Sequence, residues 1–166
     1  MSRSVASSLI LICLAIVFLG TGCSTQPPRL KPKRFDLKFT VAEELRGGSI
    51  QVDIIGASSR SHLPALESIA LSQYWSPGNP LRRDVPKATL IFGRGSPKDR
   101  VFAGSDPKWN AWLGAGAEVV VIMVDSPGTQ SRRVVSIDER EWKNVPTLEF
   151  QIQESGVQLV TAKPTK

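Results

Sequence analysis

The sequence predicts a mainly β domain, a two-sheet antiparallel β-sandwich with short connecting helices, occupying residues 35–163. Two observations predict it. Seven short segments carry either strict apolar alternation or a continuous apolar run, with Gly, Pro, Asn or Ser between them. Segments with helical spacing are few and brief, which favours a sandwich over a parallel α/β sheet.

Phe35, Leu37, Phe39 and Val41 alternate with Asp36, Lys38 and Thr40, the period of a strand with one buried face. Gly47-Gly48 marks a turn. Ile50, Val52 and Ile54 alternate with Gln51 and Asp53 in a second strand that stops at Gly56. Residues 87–93 form a third. Residues 118–124 are the most apolar run of the domain, so they predict a central strand covered on both faces. Residues 133–137, 147–152 and 157–161 complete the set, with Ser155-Gly156 as the hairpin turn between the last two. Helical spacing over 64–74 places Leu66, Ile69, Ala70 and Tyr74 together, with Pro64 suited to a first turn. Asp106-Pro107 followed by Trp109, Trp112 and Leu113 predicts a short capped helix. Asp138 and Glu141 stand at capping-box spacing and predict a single turn over 138–142.

Residues 1–22 read as a signal peptide. Arg3 is their only charge, an apolar run covers 5–19 with Ser7 and Ser8 as interruptions, and small residues follow. The run is shorter than the roughly 20 residues of a spanning helix. Leu19-Gly20-Thr21-Gly22-Cys23 resembles the lipobox of bacterial lipoproteins, with Gly20 where Leu is usual. The resemblance implies cleavage before Cys23, a diacylglycerol on its thiol and an acyl chain on the new amine. Several chains, at about 0.8 kcal/mol per buried CH₂, make a lasting contact with membrane lipid. Ser24 rather than Asp after the cysteine points, by analogy with Gram-negative sorting, to the periplasmic face of the outer membrane. Residues 23–34 are then a lipidated cysteine and a Pro/basic tether. Residues 27–34 hold four basic residues and no acid. Such a segment is an extended spacer, either simply solvated or resting on anionic headgroups at about 1 kcal/mol per basic residue.

The formal net charge of +6 is concentrated in that tether, so no nucleic-acid partner is expected. The two cysteines are Cys13 and Cys23, which leaves the domain without a thiol for a disulfide, a zinc site or nucleophilic attack. His62 is the single histidine and sits in the polar run Ser58-Ser59-Arg60-Ser61-His62. Triad partners normally come from different elements, so this run reads as a loop. Gly93-Arg94-Gly95-Ser96-Pro97-Lys98 lacks the Gly-Lys-Ser/Thr ending of a phosphate loop, and Pro97 removes a backbone donor. Gly114-Ala115-Gly116 precedes a strand, the wrong order for a dinucleotide fingerprint. No catalytic residue, metal or cofactor is assigned, and the chain is not expected to be an enzyme.

The distinctive stretch is 74–84, which sets Tyr74 and Trp75 near Arg82 and Arg83 among prolines and a glycine. Aromatic residues and arginine are enriched at interfaces, so these four are the candidate partner-binding residues. The competing reading pairs Arg82 or Arg83 with Asp84. Trp109, Trp112 and Trp142 read first as plugs at the ends of a sandwich.

A lipobox, a short tether and a β-rich domain together resemble the type VI secretion lipoprotein, the TssJ family. The likeness is clearest where the apolar run Val119 to Val124 and Asp125 is followed by Arg132-Arg133-Val134-Val135, then Leu148 to Ile152 and Val157 to Val160. The resemblance implies a two-sheet sandwich, no catalysis, and a tethering role through an envelope protein partner. Trp75-Ser76-Pro77-Gly78 and Trp109-Asn110-Ala111-Trp112 are not features of that family, so no binding loop is carried over. The alternative is a lipoprotein that binds cell-wall glycan or a small solute through the aromatic loop.

Overall fold

The computed structural model describes residues 30–164; the expected signal peptide and Cys23 lie outside the described residues. Eight strands and four short α-helices follow one another: β1 (Asp36–Val41), β2 (Ile50–Ala57), α1 (Leu63–Ser68), α2 (Leu71–Trp75), α3 (Pro80–Asp84), β3 (Lys87–Phe92), β4 (Asp99–Phe102), α4 (Lys108–Gly114), β5 (Val119–Ser126), β6 (Thr129–Ser136), β7 (Thr147–Gln153) and β8 (Gly156–Leu159). They form two four-stranded sheets, ordered β4-β1-β7-β8 and β3-β2-β5-β6.

The alternating residues of β1 supply one side of the core: Leu37, Phe39 and Val41 are buried, while Asp36, Lys38 and Thr40 are half-buried. Phe39 stacks on Phe150 of β7 with ring centroids 5.0 Å apart. Ile50, Val52, Ile54, Val120, Ile122 and Val124 face them from the second sheet. Each such side chain contributes about 1.5–3 kcal/mol on burial. The β5 prediction holds: Val121 and Met123 point the other way, into a second cluster with Ile55, Leu66, Tyr74 and Trp75. Helices α1 to α3 thus cover the outer face of β2 and β5, a third layer.

Five strand pairings are antiparallel, as expected, and one is not: β1 and β7 run parallel, from Asp36 opposite Thr147 to Val41 opposite Ile152. Alternation reports which face is buried and carries no direction. Strand β4 was not foreseen, because its inward residues are Arg100 and Phe102 and no apolar alternation is visible. The single helix expected over 64–74 is two. Ile69 and Ala70 are extended, and Arg132 of β6 donates to the carbonyls of Leu66 and Ile69 that a longer helix would use. The expected loop after Trp75 contains α3, with Pro80 in its first turn and Asn79 accepting from the Arg82 amide.

The end of the basic segment is held to the domain. Lys33 N–H donates to the Ile137 carbonyl at 2.9 Å, and Glu139 N–H donates to the Lys31 carbonyl at 2.8 Å. Pro32 lies opposite Asp138, as a one-residue antiparallel bridge beyond β6. The buried Asp138 carboxylate receives Arg140 Nε at 3.0 Å. That hydrogen bond, chiefly, holds its pKa down at about 2, against 3.8 ordinarily. A depressed carboxyl contributes stability above its unfolded pKa and loses it as pH falls through the folded one. Asp138→Asn should therefore flatten the acid side of the stability curve between about pH 4 and about 2, read from melting temperature against pH.

Candidate interaction surface

The outer face of β2 carries the one fully buried acid of the domain, Asp53. Alternation placed it toward solvent, and the helical layer covers it instead. Its Oδ1 accepts from Thr89 Oγ1 of β3 at 2.7 Å, and its Oδ2 accepts from the Tyr74 hydroxyl at 3.1 Å and from Arg82 Nε at 2.9 Å. A buried carboxylate is tolerated only when paired and hydrogen-bonded, and this one has three donors from three elements. Burial first, then the adjacent Asp53 charge, push the Tyr74 phenol far above its ordinary pKa, so it stays a neutral donor. Arg82 is also held from one side by Trp75, its guanidinium lying 4.3 Å from that ring's centroid.

The four candidate residues are thus brought together, with different placements. Tyr74 is inaccessible and Trp75 is 9% exposed, so neither offers a ring face to a ligand. This corrects the picture of an aromatic loop open to solvent: the rings pack under the helices, and the polar tip of Tyr74 is spent on Asp53. Arg82 is partly exposed, and Arg83 is largely so, its Nε donating to Asp84 at 2.7 Å. The expected pairing with Asp84 therefore belongs to Arg83, whereas Arg82 reaches Asp53. Sequence reasoning missed Asp53 and Thr89. The available signal was Ile55, which breaks the polar half of the β2 alternation and says that face is covered.

Above this cluster lies a groove of about 360 Å³ lined by Ser76, Gly78, Asn79, Arg82, Arg83 and Lys87. Lys87 Nζ donates to the Arg82 carbonyl. Asn79 Nδ2 donates to the Gln73 carbonyl at 2.9 Å and Ser76 Oγ to the same oxygen at 2.6 Å, which fixes the loop between α2 and α3. A second groove, of about 320 Å³, opens at the end of the sandwich where the Gly47-Gly48 and Gly93–Lys98 turns meet, over Leu45, Ile50 and Phe92.

His62 stands at the start of α1. Beside it the Ser58 and Ser61 hydroxyls bond to each other at 3.0 Å, not to the imidazole. Trp109, Trp112 and Trp142 are buried in the core, as the plug reading expects. Among the described residues no three His, Cys, Asp or Glu side chains converge as a metal site, and no helix is long and apolar enough to cross a membrane.

No protein-family model matches the chain. Nor does any curated protein match its sequence. Among solved structures it resembles Lip of Serratia marcescens, a membrane-bound component of the type VI secretion system. The TM-score is 0.51 at 14% identity, over 81% of this chain and 100% of that one. A structure described as the type VI secretion protein TssM C-terminal domain, from EAEC, also gives 0.51, at 12% identity over 76% of this chain and 99% of the other. What is shared is the fold: the sandwich that the TssJ resemblance implies is the architecture found.

Proposed function

We propose that this chain is a lipid-anchored, non-catalytic binding module of a bacterial envelope complex, of the type VI secretion class. It sits at the periplasmic face of the outer membrane through acylated Cys23 and engages an envelope protein. The observation that carries this reading is the fold likeness to the membrane-bound Lip component, on a chain whose Cys23 follows a lipobox-like segment. The buried acids support it in a lesser way, since Asp53 and Asp138 are committed to structural partners rather than left facing a cleft. The glycan or solute alternative required an exposed ring, and with Tyr74 and Trp75 buried no observation favours it.

Two measurements test the reading. A tagged palmitate should label the parent protein in its host, and Cys23→Ser should abolish both the label and membrane retention. Affinity capture from detergent-solubilised membranes should recover type VI membrane-complex components. A variant that localises like the parent would remove the anchor. Capture that recovers no secretion component would remove the assignment to that complex and leave the anchor intact.

A further inference from the structure

The groove beside α3 carries a charge asymmetry that folding alone does not require. Arg82, Arg83 and Lys87 line it, and no carboxylate does. Arg83 is offset by Asp84 outside the lining. Arg82 is paired with Asp53 beneath the lining, which leaves Lys87 as the lining cation without an ion pair among the described residues. The Arg82 Nε is committed to Asp53, and no second carboxylate among the described residues pairs with its Nη groups. Those two groups belong to a side chain that remains partly exposed at the groove.

Arg82 is also fixed in advance. The Asp53 carboxylate holds the inner edge of the guanidinium, and the Trp75 ring lies along its face. A free arginine on a surface loses much side-chain freedom when it binds, and this one has already lost it. A planar guanidinium that is partly exposed and has no second carboxylate on its outer edge matches one in a paired geometry. Lys87 flanks it with additional positive potential, which steers an acidic ligand and raises its on-rate.

Position selects among anionic partners. The chain enters the domain at the pole where Lys31–Lys33 lies against Ile137–Glu139. With a lipid anchor upstream, that pole faces the bilayer. Of the lining residues, Lys87 begins β3 opposite Ile55 of β2 and the rest belong to α3 and the loop before it, so the groove opens beside the helices on the outer face of the sheet, the flank of the sandwich. A flank is open to a neighbouring protein, whereas headgroups meet the pole.

We propose that this groove receives the carboxylates of an acidic segment of a protein partner, with Arg82 as the anchoring contact. The proposal rests on the reading that the chain binds an envelope protein, and it names the chemistry of that contact.

The test uses the mature full-length protein in neutral detergent micelles and fluorescein-labelled hexaglutamate as probe, followed by anisotropy at low salt. Arg82→Met keeps an apolar stem against Trp75, and the doubly substituted Arg83→Gln/Lys87→Gln changes only groups outside the core. Circular dichroism checks that each variant is folded. Each should weaken the peptide by about tenfold, the equivalent of about 1.4 kcal/mol. Removing two of the tether's four charges instead, Lys31→Gln/Lys33→Gln, should change affinity by less than about twofold, about 0.4 kcal/mol. If Arg82→Met does not fold, the double variant decides. Equal binding by parent and folded groove variants would overturn the proposal, as would loss of binding confined to the tether variant. Glycerol phosphate, a headgroup mimic, should compete only far above the peptide's concentration; competition at equal concentration would assign the groove to lipid. None of these readouts depends on acylation of Cys23, so palmitate labelling fails or succeeds independently.

Discussion

Asp53→Ala should lower the stability of the domain by about 3 kcal/mol, which corresponds to a fall of about 10 °C in melting temperature. The magnitude comes from what is left behind. The Tyr74 hydroxyl is completely buried and would lose its acceptor, a cost of about 1–3 kcal/mol. Thr89 Oγ1 would lose its partner at the edge of the sheet. Arg82 is the mobile member: its side chain is 24% exposed and can turn toward water, which keeps the loss near the lower end of the roughly 3–5 kcal/mol expected for breaking a buried pair. Two companions sharpen the expectation. Tyr74→Phe removes one donor and leaves the carboxylate two others, so it should cost about 1 kcal/mol. Asp53→Ala combined with Arg82→Met should cost less than the sum of the two single changes, because each alone orphans the other. Thermal melts of the four variants measure this directly. A shift under about 2 °C for Asp53→Ala, roughly half a kcal/mol, would mean that the helical layer does not depend on its buried charge.

The legibility of this fold divides along the same line. Wherever one face of a strand is buried and the other wet, alternation is visible. Phe35 to Val41 and Leu148 to Ile152 accordingly stand out in the sequence and in the core. The doubly covered β5 stands out for the opposite reason, since nothing in Val119 to Val124 is polar. What was hidden depends on neighbours distant in sequence. Asp53 occupies a polar slot in an alternating strand, and only the helices laid over it make it a buried acid. Arg100 of β4 faces inward over Phe92, its guanidinium 5.7 Å from that ring's centroid, so a charged residue sits where a strand pattern needs an apolar one. The parallel union of β1 and β7 joins segments over a hundred residues apart and leaves no local mark. Helix α3 did leave a mark, Asn79 before Pro80, the cap and first-turn residues of a helix. Pro77 and Gly78 immediately upstream are turn residues and mask it. The candidate site was therefore legible as a composition, aromatic rings beside arginines, and not as an arrangement. Its geometry is set by one carboxylate, 21 residues before Tyr74 and 29 before Arg82.

Trp109→Ala and Trp142→Ala should each cost about 3–5 kcal/mol, the range for emptying a large aromatic site in a core. Both side chains are fully buried, Trp109 beside Asn110, which receives Arg34 of the entering segment, and Trp142 against the end of β6. Trp109 packs edge-on to Trp112 at 5.4 Å and tilted against Phe102 at 6.0 Å. The phenylalanine variants separate what the alanines do not. The Trp109 indole N–H meets no protein acceptor among the described residues, so Trp109→Phe removes volume alone and should cost about 1–2 kcal/mol. The Trp142 N–H donates to the Ser136 carbonyl at 2.7 Å, and Trp142→Phe strands that oxygen in addition, for a further 1–3 kcal/mol or so. Ser136 is the last residue of β6, directly before the residues that hold Lys31 and Lys33. Loosening it should release the tether's grip as well as the core. Hydrogen exchange at the Lys33 and Glu139 amides should therefore quicken in Trp142→Phe and stay at the parent rate in Trp109→Phe. Equal exchange in the two variants, at unequal melting temperatures, would show that Trp142 only fills space and that the tether is held by its own backbone bonds.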